Sequence, residues 1–118
     1  MTPDEMKART KAFGLRVIRL VEALPKTRTA DVLGRQLLRS ATSVGANYRS
    51  ACRARSTAEF TSKLGIVEEE ADESGYWLDL LSDAGAVKPA RLEPLAKECD
   101  EVLAIVVAAI RTAKRNRG

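Results

Sequence analysis

Apolar residues recur along this chain at alternating intervals of three and four, in four separate blocks. In the first block, Met6, Phe13, Val17, Leu20 and Leu24 share one face of a helix turning by about 100° per residue. Thr2, Pro3 and Glu5 supply an N-cap, a first-turn proline and a capping-box acid, and Pro25 ends the pattern. A helix over about 3–24 follows. In the second block, Leu33, Leu37, Ala41, Val44, Tyr48 and Ala51 predict a helix over about 30–54. Gly45 inside it costs roughly 1 kcal/mol relative to alanine, so its presence implies close approach of a neighbouring helix.

The third block runs Phe60, Leu64, Val67, Ala71, Ser74, Leu78 and Leu81, a bundle seam. A Ser56–Glu59 capping box opens it and Gly85 is the expected C-cap, giving a helix over about 57–84. The fourth carries Leu95, Cys99, Val102, Val106 and Ala109 and predicts a helix over about 90–114, its start shared between Pro89 and Pro94. Short joints force antiparallel neighbours. The expected fold is all-α, an antiparallel up-down-up-down four-helix bundle, with residues 1–118 as a single domain.

The polar positions add a charge pattern. Net charge is +4, but residues 1–56 hold 12 basic against 4 acidic side chains and residues 57–85 hold 1 against 8. On the second helix, Arg35, Arg39, Arg49 and Arg53 fall opposite the apolar face, with only Thr42 and Ala46 between them. They span about 27 Å at helical rise. Arg55, and Lys11, Arg16 and Arg19 from the first helix, extend the positive surface. Such a row suits phosphate contacts, which give salt-dependent, sequence-tolerant affinity. No aromatic side chain is interleaved to stack on bases. The competing reading pairs these arginines with Glu68, Asp72, Asp79 and Asp83 of the third helix and leaves nothing for a polyanion.

Surplus apolar surface points to self-association. Ile66, Trp77 and Leu80 form a second strip on the third helix, and the run containing Ile105, Val102–Ile110, is apolar on all sides. Asn47 lies at the edge of the second helix's apolar face, where a bond across the bundle to Glu70 would set register.

The chain has no histidine, no Gly-rich phosphate loop and no nucleophile elbow. Glu68, Glu69 and Glu70 point about 100° apart and cannot converge on one ion, while Glu69 and Glu73 share a face and make at most a weak divalent site. No enzyme activity, metal or cofactor is expected. Cys52 and Cys99 read as free thiols of a reducing cytoplasm, and Met1–Arg28 is too charged for a signal peptide. The longest apolar run is about half a membrane span.

Gln36–Asn47, QLLRSATSVGAN, resembles the signature of a bacterial four-helix bundle family named for proteins encoded in intervening sequences of 23S rRNA genes. Ala51–Ser56, Glu59-Phe60, Ile66–Glu73 and Tyr76-Trp77 fit the same pattern, so the likeness covers nearly the whole chain. The resemblance implies a cytoplasmic ring, typically a homopentamer, with RNA or DNA as partner. Relatives include accessory subunits of diversity-generating retroelements, which bind nucleic acid and a reverse transcriptase. Members often carry a glutamate where this chain has Ser50, a departure that weakens any inter-helix pair assigned to that carboxylate.

The expected function is non-sequence-specific nucleic-acid binding by a homo-oligomeric bundle. The alternative is a scaffold that docks a protein partner, for example a reverse transcriptase, without touching nucleic acid. A retroelement or toxin-system accessory factor is a third option.

Overall fold

The computed structural model describes residues 1–116, and within them the chain forms α1 (Pro3–Glu22), α2 (Arg28–Ala51), α3 (Thr57–Asp83) and α4 (Pro89–Asn116). Helices consecutive in sequence are neighbours in space, while α4 meets α1 more sparingly. The result is a four-helix bundle with principal extents of 50 × 21 × 19 Å.

Local chemistry sets each boundary. Thr2 Oγ1 accepts from the Glu5 amide at 3.1 Å and the Glu5 carboxylate accepts from the Thr2 amide at 3.0 Å. These bonds hold the Glu5 carboxyl below its usual range. α1 stops at Glu22, two residues short of expectation, because the Ala23 and Leu24 amides tighten onto Leu20 and Val21 before Pro25. α2 opens two residues early, on the N-cap Thr27. It closes at Ala51, where the Arg53 and Ala54 amides bond three residues back to Ser50 and Ala51. At the start of α3, Ser56 caps the Glu59 amide, but the Glu59 carboxylate takes the Arg55 amide rather than that of Ser56.

Gly85 adopts φ +76°, with its amide on Ser82 O and the Ala86 amide on Leu81 O. This is a Schellman ending, for which a residue without Cβ is best suited. α4 begins at Pro89 and carries Pro94 inside it.

The four seams meet in one core. Phe13, Val17, Leu37, Val44, Leu64, Val67, Leu78, Leu81, Val102 and Val106 are essentially inaccessible. Gly45 has its reason: a Cβ there would lie 3.4 Å from the Thr10 backbone carbon, so α1 crosses α2 closely at that point. The apolar run of α4 is largely absorbed by the chain itself. Val102 and Val106 are buried, Leu103, Ile105, Ala109 and Ile110 pack against the core, and Ala104 and Ala108 face out.

Candidate functional site

The arginine row of α2 does not stay together. Arg39 and Arg49 are ten residues apart, which places them about 80° apart around the helix. Arg39 leans to the α3 side, where its Nη1 donates to Glu70 at 3.1 Å and its Nη2 to Glu73 at 3.3 Å. Glu70 is the buried member, and its carboxylate raises the Arg39 pKa. The expectation of four free guanidinium groups is therefore corrected at Arg39. The acids that meet it are Glu70 and Glu73, on the α2-facing edge of α3, rather than Glu68, Asp72, Asp79 or Asp83.

Arg35 pairs within its own helix, to Asp31 at 2.9 Å, in an exposed i,i+4 contact of small energetic value. Arg53 lies in the turn beyond α2 rather than on it, and Arg55 in the joint to α3. Among the described residues no carboxylate lies within 4.0 Å of Arg49, Arg53, Arg55, Lys11, Arg16 or Arg19. Arg16 nevertheless belongs elsewhere: its charge helps lower the Glu98 pKa, so it sits toward α4. There Arg9 holds Glu98 through two 2.7 Å bonds and draws in Glu101 at 3.7 Å. That half-buried pair was not foreseen, since neither residue breaks the pattern of its helix.

Lys11 and Arg49 face each other across an open groove of about 560 Å³ between α1 and α2. Gly14, Thr42, Gly45 and Ala46 floor it, Leu15 and Ile18 form an apolar wall, and Lys7 adds a third cation. The small residues keep the groove shallow, and the close Thr10–Gly45 crossing sets its depth.

The other polar positions resolve as follows. Among the described residues Asn47 makes no bond across the bundle: its Nδ2 donates to Ser43 O of its own helix at 2.8 Å, and Glu70 is taken by Arg39. A fully buried polar contact across the bundle runs instead from Ser74 Oγ to Ser40 Oγ at 3.0 Å. A serine in the apolar seam of α3 was the available signal. Ser50 accepts from Lys63 Nζ at 2.7 Å, so an α2–α3 contact persists there with a neutral acceptor. Trp77 packs against the core, as does Ile105, and its buried Nε1 has no hydrogen-bond partner among the described residues. Leu80 is half-buried, Ile66 is 43% exposed, and the outward aromatic is Tyr76 at 58%.

Cys99 donates its thiol to Ala71 O at 3.1 Å, and burial pushes its pKa up to about 12. Burial and the adjacent Cys52 push the Tyr48 hydroxyl up to about 12 as well. Such groups are unreactive at neutral pH. Glu73 is engaged by Arg39, and among the described residues no group of three or more carboxylates or thiols is placed to hold a metal ion. No described helix is long and apolar enough to cross a membrane.

Comparison with known proteins places these features in context. The sequence pattern of the family described as 23S rRNA-intervening sequence protein matches residues 5–108. The chain belongs to that family. A crystal structure of a protein from Bacteroides thetaiotaomicron, assigned to the S23 ribosomal protein family and of unknown function, superimposes with a TM-score of 0.87 at 32% identity. The alignment covers 94% of this chain and 99% of that one. No curated protein matches the chain.

Proposed function

We propose that this family member is a cytoplasmic homo-oligomeric bundle that binds RNA or DNA without sequence preference, contacting the phosphate backbone rather than catalysing a reaction. The observation carrying this reading is the cluster Arg49, Arg53 and Arg55, three guanidinium groups within seven residues and with no carboxylate within 4.0 Å among the described residues. Arg19 and Lys11 extend the same charge onto α1. An unpaired guanidinium keeps its donors for phosphate oxygens, and each contact releases counterions, so affinity falls steeply with salt. Arg39 favours the scaffold reading at its own position, because its donors are already spent.

The test is a salt titration of binding to duplex and single-stranded RNA and DNA. Replacing Arg49, Arg53 and Arg55 together by alanine should weaken binding at least roughly 10-fold and flatten the salt slope by about two to three contacts. Arg39→Ala should leave affinity within about two-fold. Absence of binding by the native protein at low salt, or an unchanged triple variant, defeats the proposal and leaves a scaffold for a protein partner.

A further inference from the structure

Antiparallel packing brings the start of α1, the end of α2, the start of α3 and the end of α4 to one end of the bundle, where they surround a pocket of about 640 Å³. Its walls come from every helix: Pro3 and Lys7 of α1, Tyr48 and Ala51 of α2, Phe60 of α3 and Ala113 of α4. Tyr48 and Ala51 belong to the core, so the cavity is stopped at its inner side. Arg55, in the α2–α3 joint, supplies a second cation beside Lys7, and among the described residues no acidic side chain lines the cavity. Asp4 reaches Lys7 only at 3.9 Å and is 96% exposed. Glu59 turns to the Arg55 amide and, at 3.7 Å, to Lys63.

Lys7 lines both this pocket and the α1–α2 groove, so the two are contiguous. A strand lying along the groove against Lys11 and Arg49 is led to the pocket, where core side chains stop it. Phe60, half-buried in the wall, gives the flat apolar surface that the arginine row itself lacks. The volume falls in the range that encloses a small ligand, and a single nucleotide is one.

We infer that the end pocket receives the terminal nucleotide of a phosphorylated strand, with Lys7 and Arg55 on its phosphate monoester and Phe60 against its base. This rests on the nucleic-acid reading above and adds which part of the strand is held. A phosphate monoester carries about −1.5 to −2 charges at neutral pH and three free oxygens, more than a bridging phosphate offers. Two cations from separate elements therefore favour the terminal group. A bridging phosphate cannot take the same place, because the strand beyond it has no exit through the core.

Equilibrium binding at low salt tests this with one short single strand, as RNA and as DNA, in four forms: 5′-phosphorylated, 3′-phosphorylated, hydroxyl at both ends, and closed into a circle. At least one phosphorylated form should bind roughly 10-fold more tightly than the hydroxyl form and the circle. Lys7→Gln, at an exposed position, should erase that preference with unchanged circular dichroism. Cys52 lines the pocket and is half-buried, so it reports on occupancy. The phosphorylated strand should slow its alkylation by iodoacetamide and the circle should not, with mass spectrometry separating it from buried Cys99. Equal affinity for all four forms, a preference that survives Lys7→Gln, or Cys52 alkylated as fast with the phosphorylated strand as without it defeats the end pocket and leaves the nucleic-acid reading standing. Binding to duplex alone also defeats only the pocket. No binding to any form or to duplex defeats the reading beneath it.

Discussion

Along its α3 edge, α2 gives Arg39 to Glu70 and Glu73 and Ser40 to Ser74; along its α1 edge, it gives Gly45 to the backbone of Thr10 and leaves Arg49 without a carboxylate among the described residues. The first edge has its charges neutralised and its hydroxyls satisfied inside the bundle. The second achieves close packing with small residues and keeps its cations at the surface. One helix therefore serves stability on one side and availability on the other. The angular offset between Arg39 and Arg49 decides which guanidinium goes where.

The largest effect is expected from filling the α1 crossing. Gly45→Leu drives a branched side chain against the Thr10 backbone and should cost about 1–3 kcal/mol. A fall in Tm of roughly 5–10 °C in thermal denaturation would register it. An unchanged Tm would mean that α1 is not held at this contact, and the contrast between the edges would lose its structural half.

Converting the neutralised edge into a free one comes next. Glu70→Gln with Glu73→Gln removes both acceptor charges from Arg39. Affinity for duplex nucleic acid at low salt should then rise by roughly 5-fold, with a steeper salt slope. If affinity stays constant, the pairing of Arg39 has no bearing on the proposed binding face.

The smallest effect concerns the far side of α1. Arg9 lowers the Glu98 pKa through hydrogen bonding first and charge second. A carboxylate whose folded pKa is depressed contributes stability above its unfolded pKa and loses it as pH falls through the folded value. Native protein should exceed Arg9→Ala by about 1 kcal/mol at neutral pH. The gap should close below about pH 4 in urea titrations at stepped pH. A gap that persists in acid would assign Arg9 a packing role.

Seam residues such as Leu37, Leu64, Val67 and Val102 were legible because burial follows helical period, and period is a property of spacing alone. Caps were legible for the same reason: Thr2, Ser56 and Gly85 act within a turn of themselves. The partner of Arg39 was not, because several α3 acids lay within reach and only the rotation of α3 against α2 put Glu70 and Glu73 inside. Asn47 misled because a side-chain amide on a helix edge also has its own backbone carbonyl within reach, at Ser43. The groove was half legible. Thr42 and Ala46 marked a shallow stretch, but its apolar wall of Leu15 and Ile18 comes from another helix.

Hydrophobic period, capping residues and joint length determined four antiparallel helices and one core, since each depends on residues a turn or less apart or on a repeat along one rod. Which charges are spent and which remain at the surface was decided by the tertiary structure. Electrostatic pairing depends on distances between rods, and those are set by the relative rotation of packed helices.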